Sequence, residues 1–277
     1  MGAEDKTATE IPAAPPPEAL DAWLEDAVAI ALAAGAVVRD RFDVVHEESF
    51  KGHEGNVVTE TDHASEALIV ERLSARFPDH AVRAEEGRGG GRHAITWFVD
   101  PLDGTNNFAH GFPMFAVSLA ATLGDRVLVG VTFDPLRDEL FTARLGGGAF
   151  LDGAPLHVSD RARLSESLVA TGFPYDKATN PDNNITQFAA VAPRVRGIRR
   201  AGSATLDLAY VAAGRLDAYW ERGTAAWDVA AGILLTQEAG GRVTDYEGGP
   251  PQPDGGRFVA SNGIIHDELL ERLRWAS

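Results

Sequence analysis

A chain of 277 residues is long for one ordinary domain and short for two independent ones, so it allows one large α/β unit or two lobes sharing a cleft. It contains no cysteine, which excludes disulfides and thiolate metal sites and fits a reducing compartment. Lys and Arg number 25 against 41 Asp and Glu, a net charge of −16 with no stretch that stands out as a phosphate-backbone footprint, which argues against a nucleic-acid partner.

In chain order, Met1 to Pro17 has neither a basic start nor an apolar core segment, and Ala14-Pro15-Pro16-Pro17 suits a disordered leader over 1–17. A helix is predicted from about Glu18, because Leu20, Leu24, Ala27, Ala31, Ala34 and Val38 recur at helical steps. The apolar stretch Ala27 to Val38 is too short to span a bilayer, so a cytoplasmic protein with no membrane role is expected. A polar loop is predicted over Glu47 to Asn56. A second amphipathic helix should run from about His63, through Ile69, Leu73 and Phe77, to a stop at Pro78.

Strand character follows. Ile95 to Val99 is a short β-branched and aromatic run ending on Asp100, and Phe115 to Leu123 and Arg126 to Phe133 flank a Gly124-Asp125 turn. With Glu139 to Ala143 and a turn at Asp152-Gly153, these predict an antiparallel-rich N-terminal lobe over 18–160. The C-terminal part, 161–277, alternates short strands with helices. Strands are expected at Ser167 to Thr171, Gly197 to Arg199, Leu216 to Trp220, Arg242 to Thr244 and Phe258 to Ala260. Helices are expected near Asn184 to Ala192, around Leu206 to Ala213, and over Ile264 to Trp275. Ala226 to Ala239 is apolar nearly all round and should be a buried helix. The mixture predicts a layered α/β or α+β fold.

The strongest local signal is Trp97-Phe98-Val99-Asp100-Pro101-Leu102-Asp103-Gly104-Thr105-Asn106-Asn107-Phe108. An apolar strand here delivers two carboxylates with the Leu102 carbonyl between them, Gly104 permits a sharp turn, and Thr105 adds a hydroxyl. Such oxygen donors suit hard divalent cations. Taken alone, the pattern is equally an Asx-type turn in which both acids serve backbone N–H groups. Glu85-Glu86 alone reads as a solvated pair, and Asp228 alone as an acid complementing a helix N-terminus. Asp62 alone reads as an N-cap for the helix expected at His63. His46, His53, His63 and His110 show no metal-ligand spacing. An aspartyl nucleophile of the two-Asp type is disfavoured because Leu102, not Asp, stands two residues after Asp100.

Together, four segments resemble the inositol monophosphatase family. Asp100 to Thr105 is similar to its Asp-Pro-Leu/Ile-Asp-Gly-Thr signature, and Trp227-Asp228 to its second signature. Ala84-Glu85-Glu86-Gly87 resembles its Glu pair, and Thr59-Glu60-Thr61-Asp62 its upstream Thr-x-x-Asp segment. Arg200 to Ala204 and Gly214 to Glu221 match as well, and the resemblance runs from about Ala19 to the C-terminus. Asn106 departs from a usual Thr, and Ala84 and Gly87 from the usual Gly and Ser around the Glu pair.

The resemblance implies a five-layered αβαβα sandwich and a Mg²⁺-dependent phosphatase sensitive to lithium, with two or three ions between the lobes. Glu85, Asp100, the Leu102 carbonyl, Asp103 and Asp228 would be the metal ligands. Glu85, Thr105 and Asp62 would prepare the attacking water, and Lys51 would sit in a mobile loop beside them. Asp103, Gly104, Thr105, Gly202, Ser203, Ala204, Glu221 and Asp228 would contact the substrate, a small phosphorylated metabolite. Inositol monophosphate leads, with histidinol phosphate, fructose 1,6-bisphosphate, NADP or 3′-phosphoadenosine 5′-phosphate as siblings. A homodimer is implied, and a catalytically idle regulatory protein on the same scaffold is the alternative of another class.

Overall fold

The computed structural model describes residues 13–42, 44, 48–50, 57–91, 93–252 and 255–275. Helix α1 spans Pro17–Arg39, and a small hairpin pairs β1 (Glu48–Phe50) with β2 (Val57–Thr59). Helix α2 (Glu60–Arg76), β3 (Ala81–Ala84), β4 (Gly89–Gly90), β5 (Ile95–Asp103) and α3 (Thr105–Ala109) follow. A meander then runs through β6 (Ala116–Leu123), β7 (Arg126–Asp134), β8 (Glu139–Arg144), β9 (Gly148–Leu151) and β10 (Ala154–Pro155). The remainder comprises β11 (Leu168–Thr171), α4 (Ile185–Val191), β12 (Gly197–Arg199), α5 (Ala204–Ala212), β13 (Ala218–Ala225), α6 (Ala226–Glu238), β14 (Arg242–Thr244), β15 (Gly255–Ser261) and α7 (His266–Trp275).

Eight strands form one sheet in the order β10-β9-β8-β7-β6-β5-β3-β4, and five form another in the order β12-β11-β13-β15-β14. Period-two alternation assigns the faces. Val117, Leu119, Ala121 and Leu123 of β6 join α1 and α2 in one core, while Ala116 and Ala120 turn to a second core with α5 and α6. The other side of α5 and α6 packs on the five-stranded sheet through Leu208, Val211, Val229 and Ile233 against Phe258 and Ala260. Val259 faces the opposite way, toward Leu269 and Leu273 of α7. The layers are thus α1/α2, sheet, α5/α6, sheet, α4/α7, the αβαβα sandwich. Each fully buried Leu, Val or Phe contributes about 1.5–3 kcal/mol, and α6 holds its central place because it is apolar all round.

The structure refines several sequence expectations. The segment expected to be a loop over Glu47 to Asn56 contains β1, which pairs with β2; 51–56, including Lys51, lies outside the described residues, as does most of the leader. Helix α2 begins at Glu60 rather than His63. Asp62 is therefore the third helical residue, closing a capping box with Thr59, and not the N-cap. Strands β3 and β4 and helix α3 had no clear periodic signal because each has five residues or fewer. Strand β13 runs on to Ala225, beyond the predicted Trp220, through pairing with β15.

The middle layer approaches the large sheet closely because its contact strip is made of small residues. Gly130 of β7 pairs with Ala120 and Ala143, and a Cβ on it would lie 3.0 Å from both Cα and O of Ala231 in α6. Gly130→Val is expected to overpack this seam and lower stability by about 2–3 kcal/mol. Urea unfolding should show this as a lower midpoint with an unchanged slope; an unchanged midpoint would mean that the seam is loose.

Candidate active site

The site grows from a bulge. Asp100 pairs with Ser118 and Asp103 with Ala116, so β5 spends three steps where β6 spends two. Pro101 sits in this interval, and its missing N–H cannot join the ladder. In a regular strand, residues three apart face opposite sides. The extra residue returns Asp100 and Asp103 to one side, facing α5 and α6, while Leu102 points back into the α1/α2 core. Ser65 of α2 braces the bulge by donating to the Pro101 carbonyl at 2.8 Å. Gly104 ends the strand at φ +91°, and a Cβ there would lie 2.8 Å from the Met114 carbonyl, so only glycine fits.

Three other elements bring their acids to the same place. Strand β3 runs parallel to β5 with Ala84 opposite Val99, which sets Glu85 next to Asp100; the Glu85 amide donates to the Val99 carbonyl at 3.1 Å. Helix α5 points its N-terminus at Asp103, whose Oδ2 accepts from the Thr205 amide at 2.9 Å, the Thr205 hydroxyl at 2.6 Å and the Ser203 hydroxyl. Asp228 is the third residue of α6 and accepts from the Ala225 amide at 2.6 Å. Both helix N-termini favour negative charge.

The resulting electrostatics are extreme. Asp100 is 1% exposed. Burial first, then the charges of Glu85, Asp103 and Asp228, hold its carboxyl well above the usual range. Asp228 is raised for the same reasons, by burial and then by Glu85 and Asp103. Asp103 is raised by burial despite its hydroxyl and amide donors. Burial and neighbouring carboxylates dominate at both Asp100 and Asp228, so the cluster needs protons or a cation. Among the described residues no three acids or histidines stand at metal-ligating spacing, and one oxygen each of Asp100, Asp103 and Asp228 accepts from a protein donor. The oxygens not so engaged, with the Leu102 carbonyl, form an oxygen-only donor set that fits a hard cation such as Mg²⁺.

Beside this cluster, Thr105 Oγ1 lies 2.9 Å from Asp62 Oδ1 and 2.9 Å from the Leu102 carbonyl. The hydroxyl has one proton and serves one acceptor at a time. Asp62 Oδ2 is held by the Thr59 amide at 2.8 Å and hydroxyl at 2.7 Å. Burial outweighs these donors and pushes the Asp62 carboxyl up to about 6.

A cavity of about 260 Å³ opens above the acids, lined among others by Glu85, Asp103, Gly202, Ser203, Glu221 and Asp228. Ala204 also lines it. Asp100 and Leu102 are fully buried and, like Asp62, Gly104 and Thr105, are not in its wall. Glu221 reaches it from β13 and accepts from the Tyr219 hydroxyl. Burial raises the Glu221 carboxyl to about 7. Gly172 makes room for it, since a Cβ there would fall 1.9 Å from Glu221 Oε2.

Sequence reasoning missed several lining groups. Asp207 is 2% exposed with one carboxylate oxygen unpartnered. Arg200 and Tyr175 line the wall. Glu66 is buried at the back, where its carboxylate accepts from the Glu86 amide at 2.6 Å and the Arg88 amide at 3.1 Å, shaping the loop that carries Glu85. The sequence cue for Asp207 was an acid inside the otherwise apolar α5.

The raised carboxyls make stability depend on pH with a definite sign. An acid whose pKa is higher folded than unfolded adds stability fully only below its unfolded value near 4, and loses it as pH rises through the folded value. In chelator-treated protein, thermal stability is expected to fall from pH 5 to pH 8 as Asp62 and Glu221 ionise through about 6 and 7. Asp62 alone accounts for roughly 1.4 kcal/mol of this fall, the rest of its effect being already felt between pH 4 and pH 5. Mg²⁺ should restore stability at pH 8, and a chelated protein equally stable at both pH values would contradict the charge crowding.

Comparisons with known proteins agree with this architecture. A family model described as the inositol monophosphatase family matches residues 19–277. An inositol-1-monophosphatase of Synechocystis is 45% identical over 259 residues, covering 93% of this chain and 90% of that protein. The Nus factor SuhB of Pseudomonas aeruginosa is 46% identical over 243 residues, 85% of this chain and 88% of its own. Among solved structures, the inositol monophosphatase of Anabaena (Nostoc) superposes with a TM-score of 0.85 at 44% identity, over 93% of this chain and 97% of that one.

Proposed function

Because the chain belongs to the inositol monophosphatase family, a family of phosphatases, we propose that it hydrolyses small phosphate monoesters with Mg²⁺ and that inositol monophosphate is its preferred substrate. The observation that carries this reading is the convergence of Glu85, Asp100, Asp103 and Asp228 around one buried point beneath a polar cavity. Glu85, Asp100, Asp103, Asp228 and the Leu102 carbonyl would hold two or three ions. Bound there, Mg²⁺ supplies Lewis-acid charge for the phosphoryl oxygens and lowers the pKa of water.

The chain's own groups then divide the remaining work. Thr105 orients the attacking water, and Asp62, held by the Thr59 cap, takes its proton through the hydroxyl. The backbone at Gly104 and Thr105 holds the phosphate at the start of α3. Gly202, Ser203 and Ala204 at the N-terminus of α5 line the side where the alcohol portion rests. Asp103, Glu221 and Asp228 accept its hydroxyl protons, and a polyol satisfies such buried acceptors where an apolar alcohol leaves them unpaired. Lys51 remains part of this proposal from sequence alone. We assign 18–160 and 161–277 as two lobes with the cavity between them, and a homodimer inhibited by lithium as the working form. No helix among the described residues is long and apolar enough to cross a membrane.

The test is phosphate release from metal-stripped protein as Mg²⁺ is restored. The panel is inositol 1-phosphate, histidinol phosphate, fructose 1,6-bisphosphate, NADP and 3′-phosphoadenosine 5′-phosphate. Release should require Mg²⁺, be highest by kcat/KM for inositol 1-phosphate, and fall by at least about 10³-fold in Asp100→Asn. No release from any substrate by folded protein would favour the regulatory reading, which the relative named a Nus factor keeps in view. Glu221→Gln keeps the side chain's size but weakens hydroxyl recognition. It is expected to raise KM for inositol 1-phosphate by about tenfold and change kcat little; an unchanged KM would remove Glu221 from the substrate contacts.

A further inference from the structure

The five-stranded sheet has two ends, and only one belongs to the active site. Strands β11, β12 and β13 are parallel. Thr171 at the end of β11, Arg200 just after β12 and Glu221 midway along β13 line the cavity described above. At their N-terminal ends, where Leu168, Gly197 and Asp217 begin the strands, lies a second cavity of about 340 Å³. The two are separated by one short strand, about 10 Å of extended chain.

The chemistry of this second cavity is the reverse of the first. Arg161, Arg196, Arg199 and Arg215 line it against two acids, Glu166 and Asp217. Asp217 is already spent inside the fold. It is 5% exposed, and its oxygens accept from the Ser159 hydroxyl at 2.5 Å and the Leu168 amide at 2.6 Å. Arg215 forms a fixed wall, bidentate to Glu139 at 2.6 Å through both terminal nitrogens and 4.9 Å above the Tyr210 ring. Glu166 is engaged by Arg163 from outside. Its carboxyl is held below the usual range by Arg163 first, and also by Arg196 and Arg161, both of which line the same cavity. Among the described residues Arg161, Arg196 and Arg199 have no carboxylate at ion-pair distance.

In a chain of net charge −16, three guanidinium groups without ion-pair partners around one concavity are the reverse of the prevailing surface charge. We propose that this cavity is a second anion site, which binds a small, multiply charged phosphate compound independently of the metal-dependent centre. Guanidinium groups recognise phosphate oxygens through paired N–H donors. A ligand with two adjacent phosphate groups offers acceptors both to Arg196 and Arg199, at edge strand β12, and to Arg161, in the loop before β11. A compact ligand is favoured over a long polyanion because the chain's net charge of −16 repels an extended polyanion more than one small anion seated in the concavity. Glu166 acts as the internal competitor that the anion displaces.

The probe is inorganic pyrophosphate, titrated calorimetrically at low ionic strength into the full-length protein stripped of metal, a state in which the acid cluster repels anions. One binding site is expected. Arg161→Ala and Arg196→Ala should each weaken it about fivefold, and the double variant about 25-fold, as near-independent exposed pairs do. Glu166→Gln should tighten it severalfold, and Asp100→Asn should leave it unchanged. The three substitutions at Arg161, Arg196 and Glu166, and the double variant, should leave Mg²⁺-dependent phosphate release by the unliganded enzyme unaltered. The proposal is overturned by no binding, by binding that survives in the double variant, or by binding that Asp100→Asn alters. Capture of a single-stranded oligonucleotide without capture of pyrophosphate would also overturn it, in favour of a polymer-binding surface. Should the double variant fail to fold, the opposite signs expected of Arg196→Ala and Glu166→Gln still decide.

Discussion

One inserted residue in β5 organises the catalytic half of this molecule. Without the step at Pro101 and Leu102, Asp100 and Asp103 would face opposite sides of the sheet, one into the α1/α2 core and one toward α5 and α6. The bulge turns both to the same side, and each neighbouring element then has a reason for its position. Ser65 holds the Pro101 carbonyl, Gly104 lets the chain turn off the strand, and the N-termini of α5 and α6 meet carboxylates where their free amides need acceptors. Proline, which cannot donate to the ladder, is the residue that makes this interruption stable in the middle of a sheet.

The second consequence is concentration of charge. Burying several carboxylates together is unfavourable unless protons or cations answer them. The fold accepts that cost at the seam between its two sheets, and the helix termini offset part of it. The same five-stranded sheet carries acids at the C-terminal ends of its strands and unpaired arginines at the N-terminal ends. Parallel strands make this separation natural, since every strand start falls on one edge and every strand end on the other.

Much of the fold was legible in the chain. The helical spacing of Leu20 to Val38, the turn at Gly124-Asp125 and the all-apolar segment from Ala226 each predicted the element that forms, because burial imposes period and the side chains report it. Short elements were not legible. Strand β3 is four residues held by its parallel partner, and α3 is five residues started by a glycine. Neither has enough residues for a period to emerge. Asp62 shows the limit for single residues. It was readable as a helix-start acid, but its place as third residue of a capping box follows from Thr59, and its contact with Thr105 from packing between α2 and the bulge. Asp207 and Glu66 carried no motif and came to light only from burial and neighbours, and Arg200, though inside a matched segment, was placed in the cavity wall only by the structure.

By itself the sequence determined the layered α/β class, the family resemblance and a set of candidate acids for a cation. These are properties of residue type and local spacing, which the chain carries wherever it folds. Only the tertiary structure decided which acids share one point, because Glu85, Asp100 and Asp228 meet through a parallel pairing, a bulge register and the docking of α6, all long-range relations. It also decided that arginines scattered from 161 to 215 line one cavity, since charge separated along a chain becomes a local field only when strands bring it together.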